Sequence, residues 1–204
     1  MKIVVVNNYK KLNQAERAVQ NIEKSTGQSV EKVDYKEPDL HSRIVESGPD
    51  LVILTGSSAL LSKPRNLELF QPEMDLIRKA KFPILGICYG HQIIGSAFGT
   101  PMRDLGQMLR GYERVSVVRK HSLFDGLPSD LVVAESHRQE LTKVPDEFQL
   151  LAQSTTSKVE AIVHRSRPIY GVQFHPERSN DDHPHGRMII QNLLNHIRDK
   201  RPIL

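Results

Sequence analysis

The chain has one cysteine, Cys88, and it lies within Gly86-Ile87-Cys88-Tyr89-Gly90. A glycine two residues to either side of a nucleophile marks a sharp strand-to-helix turn, whose small neighbours let the reactive side chain project over a sheet edge. The helix that follows aims its N-terminus at the sulfur and favours the thiolate. That help matters, because a free thiol is only a few per cent ionised at neutral pH. The competing reading is a buried core cysteine, a common fate for this residue type. Taken alone, the pentapeptide leaves both open. A single cysteine cannot form an internal disulfide, so a reducing compartment is expected, with the cytoplasm as the default location.

Other chemistry-bearing groups are sparse. Asp181, Asp182, His183 and His185 are of metal-ligand types, but adjacent loop residues rarely converge on one ion with tetrahedral or octahedral geometry. Arg178–His185 therefore reads as a solvated loop, and no metal is expected. Neither G-x-G-x-x-G nor G-x-x-x-x-G-K-[ST] occurs, so any ATP used in a linked reaction is expected to bind elsewhere, and no cofactor is assigned. The 28 basic and 24 acidic residues leave a net charge of +4 without a basic tract, which argues against a nucleic-acid partner. No apolar run approaches the ~20 residues of a membrane span. Ile3–Val6 is too short for the core of a signal peptide, so no membrane association is expected.

The elements that must carry Cys88 follow from periodicity. Lys2–Val6, Leu51–Leu54 and Ile84–Ile87 are short apolar runs fit for buried strands, and Ser29–Val33 is a weaker one. Asn13 reads as a helix N-cap with Glu16 three residues on, and Gly27 as that helix's stop. Leu40–Val45 suggests a short helix. Gln71-Pro72 opens another, with proline where its missing N–H costs nothing. Tyr89–Phe98 reads as the helix behind the cysteine. Strand and helix alternate through this half, which implies a parallel sheet covered on both sides. The second half offers strands at Glu113–Val118, Leu131–Glu135, Val159–Val163 and Ile169–Phe174, then a last helix over about Arg187–Ile197. The expectation is an α/β fold with an open mixed, mostly parallel sheet flanked by helices.

Gly86–Gln92 reads GICYGHQ, and Gln173–Glu177 reads QFHPE, each at the end of an expected strand. Together they resemble the class I, or Cys-His-Glu triad, glutamine amidotransferase family, which includes the glutaminase part of GMP synthetase and the small subunit of anthranilate synthase. The resemblance runs through most of the chain. It implies a flavodoxin-like fold with a nucleophile elbow, forming a single glutamine amidotransferase domain over residues 1–204.

The resemblance also implies roles. Cys88 would attack the side-chain amide of L-glutamine, His175 would carry the proton, and Glu177 would orient the imidazole. The oxyanion would be held by the backbone N–H groups of Tyr89 and of Ser57, in the loop Gly56-Ser57-Ser58. That loop departs from the family, which commonly has two glycines and a proline there. A positive φ at Ser57 would cost of order 1–3 kcal/mol. Gly56, Gln92, Ser136 and His137 would contact the substrate, the last two mainly through backbone. The GMP synthetase version of that segment continues Gly-Asp, whereas this chain continues Arg138-Gln139. The leading expectation is a glutaminase feeding ammonia to a separate ATP-dependent synthetase subunit. The alternatives are a stand-alone γ-glutamyl hydrolase and a non-catalytic regulator that keeps the fold.

Overall fold

The computed structural model describes residues 1–199; the last five residues of the expected 1–204 unit lie outside the described residues. The first half of the chain contributes β1 (Ile3–Asn7), α1 (Leu12–Thr26), β2 (Glu31–Asp34), α2 (Leu40–Ser47), β3 (Leu51–Leu54), α3 (Pro64–Leu69), α4 (Gln71–Lys79), β4 (Ile84–Ile87) and α5 (Tyr89–Ala97). The second half contributes β5 (Met102–Val117), β6 (Asp130–Leu141), β7 (Phe148–Gln153), β8 (Ala161–His164), β9 (Ile169–Val172) and α6 (His185–Asp199).

These strands form one sheet in the order β2-β1-β3-β4-β9-β8-β7-β5-β6. The five strands from β2 to β9 run parallel, and the four from β8 onward extend the sheet antiparallel. Successive side chains of a strand point to opposite faces, and the core divides accordingly. Ile3, Val5, Leu51, Ile53, Leu85 and Ile87 pack with Ile22 of α1 and Ile189, Ile190, Leu193 and Leu194 of α6. Val4, Val6, Val52, Leu54 and Ile84 pack on the other face with Ile44 of α2, Met74 and Ile77 of α4, and Ile93 and Ile94 of α5. Each such side chain, fully buried, contributes about 1.5–3 kcal/mol. Helices on both faces force the chain's chemistry to the strand ends, where loops are free to carry it.

Several details differ from the sequence reading. α1 begins at Leu12, because Lys11 O already accepts from Gln14 N and Ala15 N at 3.1 Å; Lys11, not Asn13, stands at the cap and gives no side-chain hydrogen bond. Gly27 ends that helix as expected, in a left-handed conformation with φ 67°. α3 has no buried residue and so no apolar stripe to betray it. β5 and β6 are far longer than their apolar stretches. They form an antiparallel ribbon whose register breaks between Asp104 and Leu109. β7 is an additional strand.

Candidate active site

β4 ends at Ile87 and α5 begins at Tyr89, leaving Cys88 at the corner with φ 52° and ψ −99°. A non-glycine residue held in such a region costs of order 1–3 kcal/mol and persists only where its surroundings fix it. Here Cys88 N–H donates to Val172 O at 2.8 Å, and Cys88 O accepts from Gln92 N at 3.1 Å. The flanking glycines leave no space for a side chain. A Cβ on Gly86 would stand 2.6 Å from the Gly90 carbonyl, and one on Gly90 would stand 2.4 Å from Leu54 O. The Gly-x-Cys-x-Gly spacing is therefore what lets strand, corner and helix pack this closely.

Because β9 lies beside β4, the segment after β9 reaches the same edge. His175 N–H donates to Ala134 O at 2.7 Å, which pins it to β6. A 3-10 turn over Pro176–Arg178 then folds Glu177 back, so that its Oε1 lies 2.8 Å from His175 Nδ1. The Cys88 sulfur is close enough to act on the same imidazole. Burial pulls the imidazole down, but the Glu177 carboxylate and the Cys88 sulfur outweigh it and raise His175 to about 9. For Glu177, burial pushes upward and is overcome by His175 and then Arg178, so the carboxyl stays below its usual range. The pair is a carboxylate bonded to an imidazole strong enough to take a thiol proton.

The expected oxyanion loop lies opposite. Ser57 has no positive φ, so it carries none of the strain that the glycine pattern suggested. Its hydroxyl donates to Asn8 O at 2.7 Å and accepts from Ala59 N at 3.1 Å. Asn8 in turn is buried: its N–H donates to Thr55 Oγ1 at 2.9 Å, and its amide to Thr55 O at 3.0 Å and Glu73 Oε1 at 3.1 Å. Glu73 is fully buried, and desolvation raises it to about 8, so it holds Asn8 as a neutral acid. The backbone N–H groups of Ser57 and Tyr89 have no acceptor among the described residues, and so stay available to a ligand. Gly56 is beside His175: a Cβ there would lie 2.7 Å from Tyr9 Oη and 3.0 Å from His175 Cε1.

Ser136 O accepts from Cys88 Sγ at 3.7 Å, so the backbone of β6 faces the Cys88 sulfur. The His137 ring turns inward instead. It meets Gln139 O at 3.1 Å and stands 3.3 Å from Glu135 Oε2, and burial lowers its basicity. Gln92 uses both amide hydrogens inside the protein, on Gln139 O at 2.6 Å and Gln173 Oε1 at 3.1 Å. Only its carbonyl oxygen is left for a ligand. Behind this segment sit two buried acids. Burial and the neighbouring Glu160 push Glu135 well above the carboxylate range, and burial raises Glu160 to about 7.

The sequence profile of the Glutamine amidotransferase class-I family matches residues 4–197. The chain belongs to this family. It is 33% identical over 180 residues to the A-type subunit of glutamine-hydrolyzing GMP synthase from Archaeoglobus fulgidus, covering 87% of this chain and 89% of that one. It is 38% identical over 134 residues to the same subunit from Methanocaldococcus jannaschii, covering 66% of this chain and 70% of the relative. The crystal structure of a candidate for that GMP synthase subunit from Thermoplasma acidophilum superposes with a TM-score of 0.80 at 32% identity, over 98% of this chain and 94% of that one. A glutamine amidotransferase from Thermotoga maritima shares the fold at 17% identity, with a TM-score of 0.75 over 96% and 97% of the two chains.

Within the class I amidotransferase frame, the departures each have a visible structural role. Arg138 Nε donates to Asp104 Oδ1 at 2.9 Å, and the Gln139 side chain bonds to Ser62, accepting from its N–H at 3.3 Å and donating to its hydroxyl. The loop after Glu177 is tied down rather than free. Asn180 donates to Tyr112 Oη at 2.9 Å, and the His183 ring lies 4.0 Å from the Tyr112 ring. His185 Nδ1 accepts from Val132 N at 2.9 Å. No group of three or more His, Cys, Asp or Glu among the described residues is arranged to hold a metal ion. No described helix is long and apolar enough to cross a membrane. Sequence reasoning passed over Tyr9, Arg178, Asn8, Glu73, Glu135 and Glu160. The one available signal for Tyr9 and Asn8 was their place just past the carboxyl end of β1, where sheets of this kind keep their sites.

Proposed function

We propose that this chain is the glutaminase subunit of a two-part GMP-forming synthetase, hydrolysing L-glutamine to glutamate and ammonia. The observation that carries the reading is the convergence of Cys88, His175 and Glu177 at one sheet edge, with Glu177 Oε1 2.8 Å from His175 Nδ1. Relatives that bear the name of a GMP synthase subunit, 32–38% identical, support the choice of acceptor. An amination that consumes ATP then takes place on a separate synthetase subunit.

The chemistry follows from the geometry. Cys88 Sγ attacks the amide carbon of the glutamine side chain after His175 takes its proton. Charge gathers on the carbonyl oxygen, where the Tyr89 and Ser57 N–H groups receive it. As the C–N bond breaks, His175 returns the proton to the leaving nitrogen, and ammonia departs. The γ-glutamyl thioester is then opened by water, whose proton passes to His175 and on to the regenerated thiol. Glu177 keeps the imidazole in the tautomer and orientation these transfers need.

The test is glutaminase turnover by the purified chain, by itself and with a candidate ATP-dependent synthetase subunit. Hydrolysis that this partner speeds about tenfold or more, and that Cys88→Ala abolishes, is the expected result. Closure of the loops carrying Ser57 and Ser136 supplies the reason, since a misplacement of ~1 Å can cost on the order of a hundredfold. Fast, partner-independent cleavage of γ-glutamyl peptides would replace this reading with a stand-alone hydrolase. Inertness toward both substrates, with and without the partner, would point to a regulatory relative.

A further inference from the structure

The network around the triad does not end at Glu177. Arg178, the next residue, turns its guanidinium back so that Nε lies 3.5 Å from Glu177 Oε1, while Nη2 donates to Tyr9 Oη at 3.3 Å. Arg178 therefore bridges the triad carboxylate and the phenol of Tyr9, which follows β1. Tyr9 is only 9% exposed, and its hydroxyl borders the space over Gly56 that also adjoins His175 Cε1. Burial first, and then the charges of Cys88 and Glu177, raise the phenol's pKa, so it keeps its proton. A neutral phenol that accepts one hydrogen bond from arginine retains one hydrogen of its own to donate. That hydrogen lies beside the loop whose Ser57 N–H is free to bind an oxyanion.

We propose that Tyr9 is a substrate-contacting residue, its hydroxyl donating to the amide oxygen as the tetrahedral intermediate forms, and that Arg178 is a positioning residue holding both Tyr9 and Glu177. This inference rests on the amidase reading of the site. Gly56 fits the arrangement, since any side chain there would occupy the gap between Tyr9 Oη and His175. Arg178 differs from an ordinary surface arginine in having two buried partners, Glu177 and Tyr9, that both lie next to His175.

Steady-state glutamine hydrolysis by the full chain, with the synthetase subunit present, tests it in Tyr9→Phe, Arg178→Gln, Arg178→Lys and the Tyr9→Phe/Arg178→Gln double variant. Loss of an oxyanion donor costs on the order of a hundredfold in kcat. Tyr9→Phe should therefore lower kcat and kcat/KM together by about tenfold to a hundredfold, with KM and the melting temperature little changed. Arg178→Gln should fall further and move the acid limb of the kcat/KM profile upward by about one pH unit, because Glu177 loses a cation. Arg178→Lys should restore that limb without restoring full kcat. The double variant should be no slower than the single Arg178→Gln variant. Wild-type kcat in Tyr9→Phe, or additive losses in the double variant, would overturn the inference. Cys88→Ala separates the two levels: residual activity there sinks the amidase reading, whereas an inert Cys88→Ala beside a fully active Tyr9→Phe sinks only this step.

Discussion

Burial by itself would make His175 a poor base; Glu177 and Cys88 reverse the effect and raise it to about 9. The assignment of base and orienter depends on that balance. Glu177→Gln keeps the side-chain shape but removes the charge, so desolvation is less fully offset and the imidazole should titrate well below 9. Turnover should fall by ~10⁴, against ~10⁶ for His175→Ala, following the unequal losses seen in triads generally. Histidine titration followed by NMR, together with kcat, checks both parts. A Glu177→Gln enzyme slower than His175→Ala would reverse the roles. Cys88 was legible from its two glycines, because the packing that demands them is local. His175 and Glu177 became meaningful only beside Cys88, since the sheet that joins them is not visible in either motif. Tyr9 and Arg178 are ordinary residue types whose partners are remote in sequence, so no spacing rule exposed them.

At the scale of elements, the strand-to-helix corner and the Gly56–Ser58 loop respond differently to the same small change. An alanine Cβ at Gly90 would meet the Leu54 backbone at 2.4 Å, with nothing flexible to yield. At Gly56 the nearest atom, at 2.7 Å, is the tip of the Tyr9 side chain, which can swing. Gly90→Ala should therefore cost at least ~2 kcal/mol of stability. Gly56→Ala should fold with a melting temperature within a few degrees of wild type, yet lose more than about tenfold in kcat/KM. Thermal melts and kinetics on the two variants decide it; equal destabilisation would mean that the Tyr9 loop is as rigid as the elbow. β3 and β4 could be placed from sequence to the residue, because both are short, wholly apolar and buried on two sides. β5 could not: fifteen of its sixteen residues are partly or fully exposed, and Val115 is the one that is buried. α3 rests on the surface without a buried residue, and periodicity had nothing to register.

For the molecule as a whole, buried acids set how stability responds to pH. Glu73 is raised to about 8 and Glu160 to about 7, both by burial. A carboxyl raised on folding contributes fully below its unfolded value of about 4.5, and that contribution is lost as pH rises through the folded value. His175, raised to about 9, has the same sign, with its contribution lost as pH climbs from about 6.5 through 9. Burial lowers His91, His137 and His164, which act in the opposite sense up to about pH 6.5, so the net decline in melting temperature should fall between about pH 6.5 and 9. Glu73→Gln, which can still accept from Asn8, should flatten that decline by about 3 °C or more. An unchanged slope would mean that Glu73 is ionised in the folded protein. The topology has its own effect on how the protein comes into being. β9 inserts between β4, formed early in the chain, and β8, so Cys88 and His175 meet only when the last quarter of the polypeptide joins the sheet. Until then β4 is a bare, apolar edge open to other chains, an aggregation hazard during synthesis. A ribosome-bound intermediate stalled before Ile169 should accordingly be unreactive toward glutamine-mimicking alkylators while binding chaperones, and labelling at Cys88 should appear once β9 and the segment through Glu177 have joined the sheet. A product that stops before His175 therefore carries the thiol without its imidazole and carboxylate, and cannot release ammonia from glutamine.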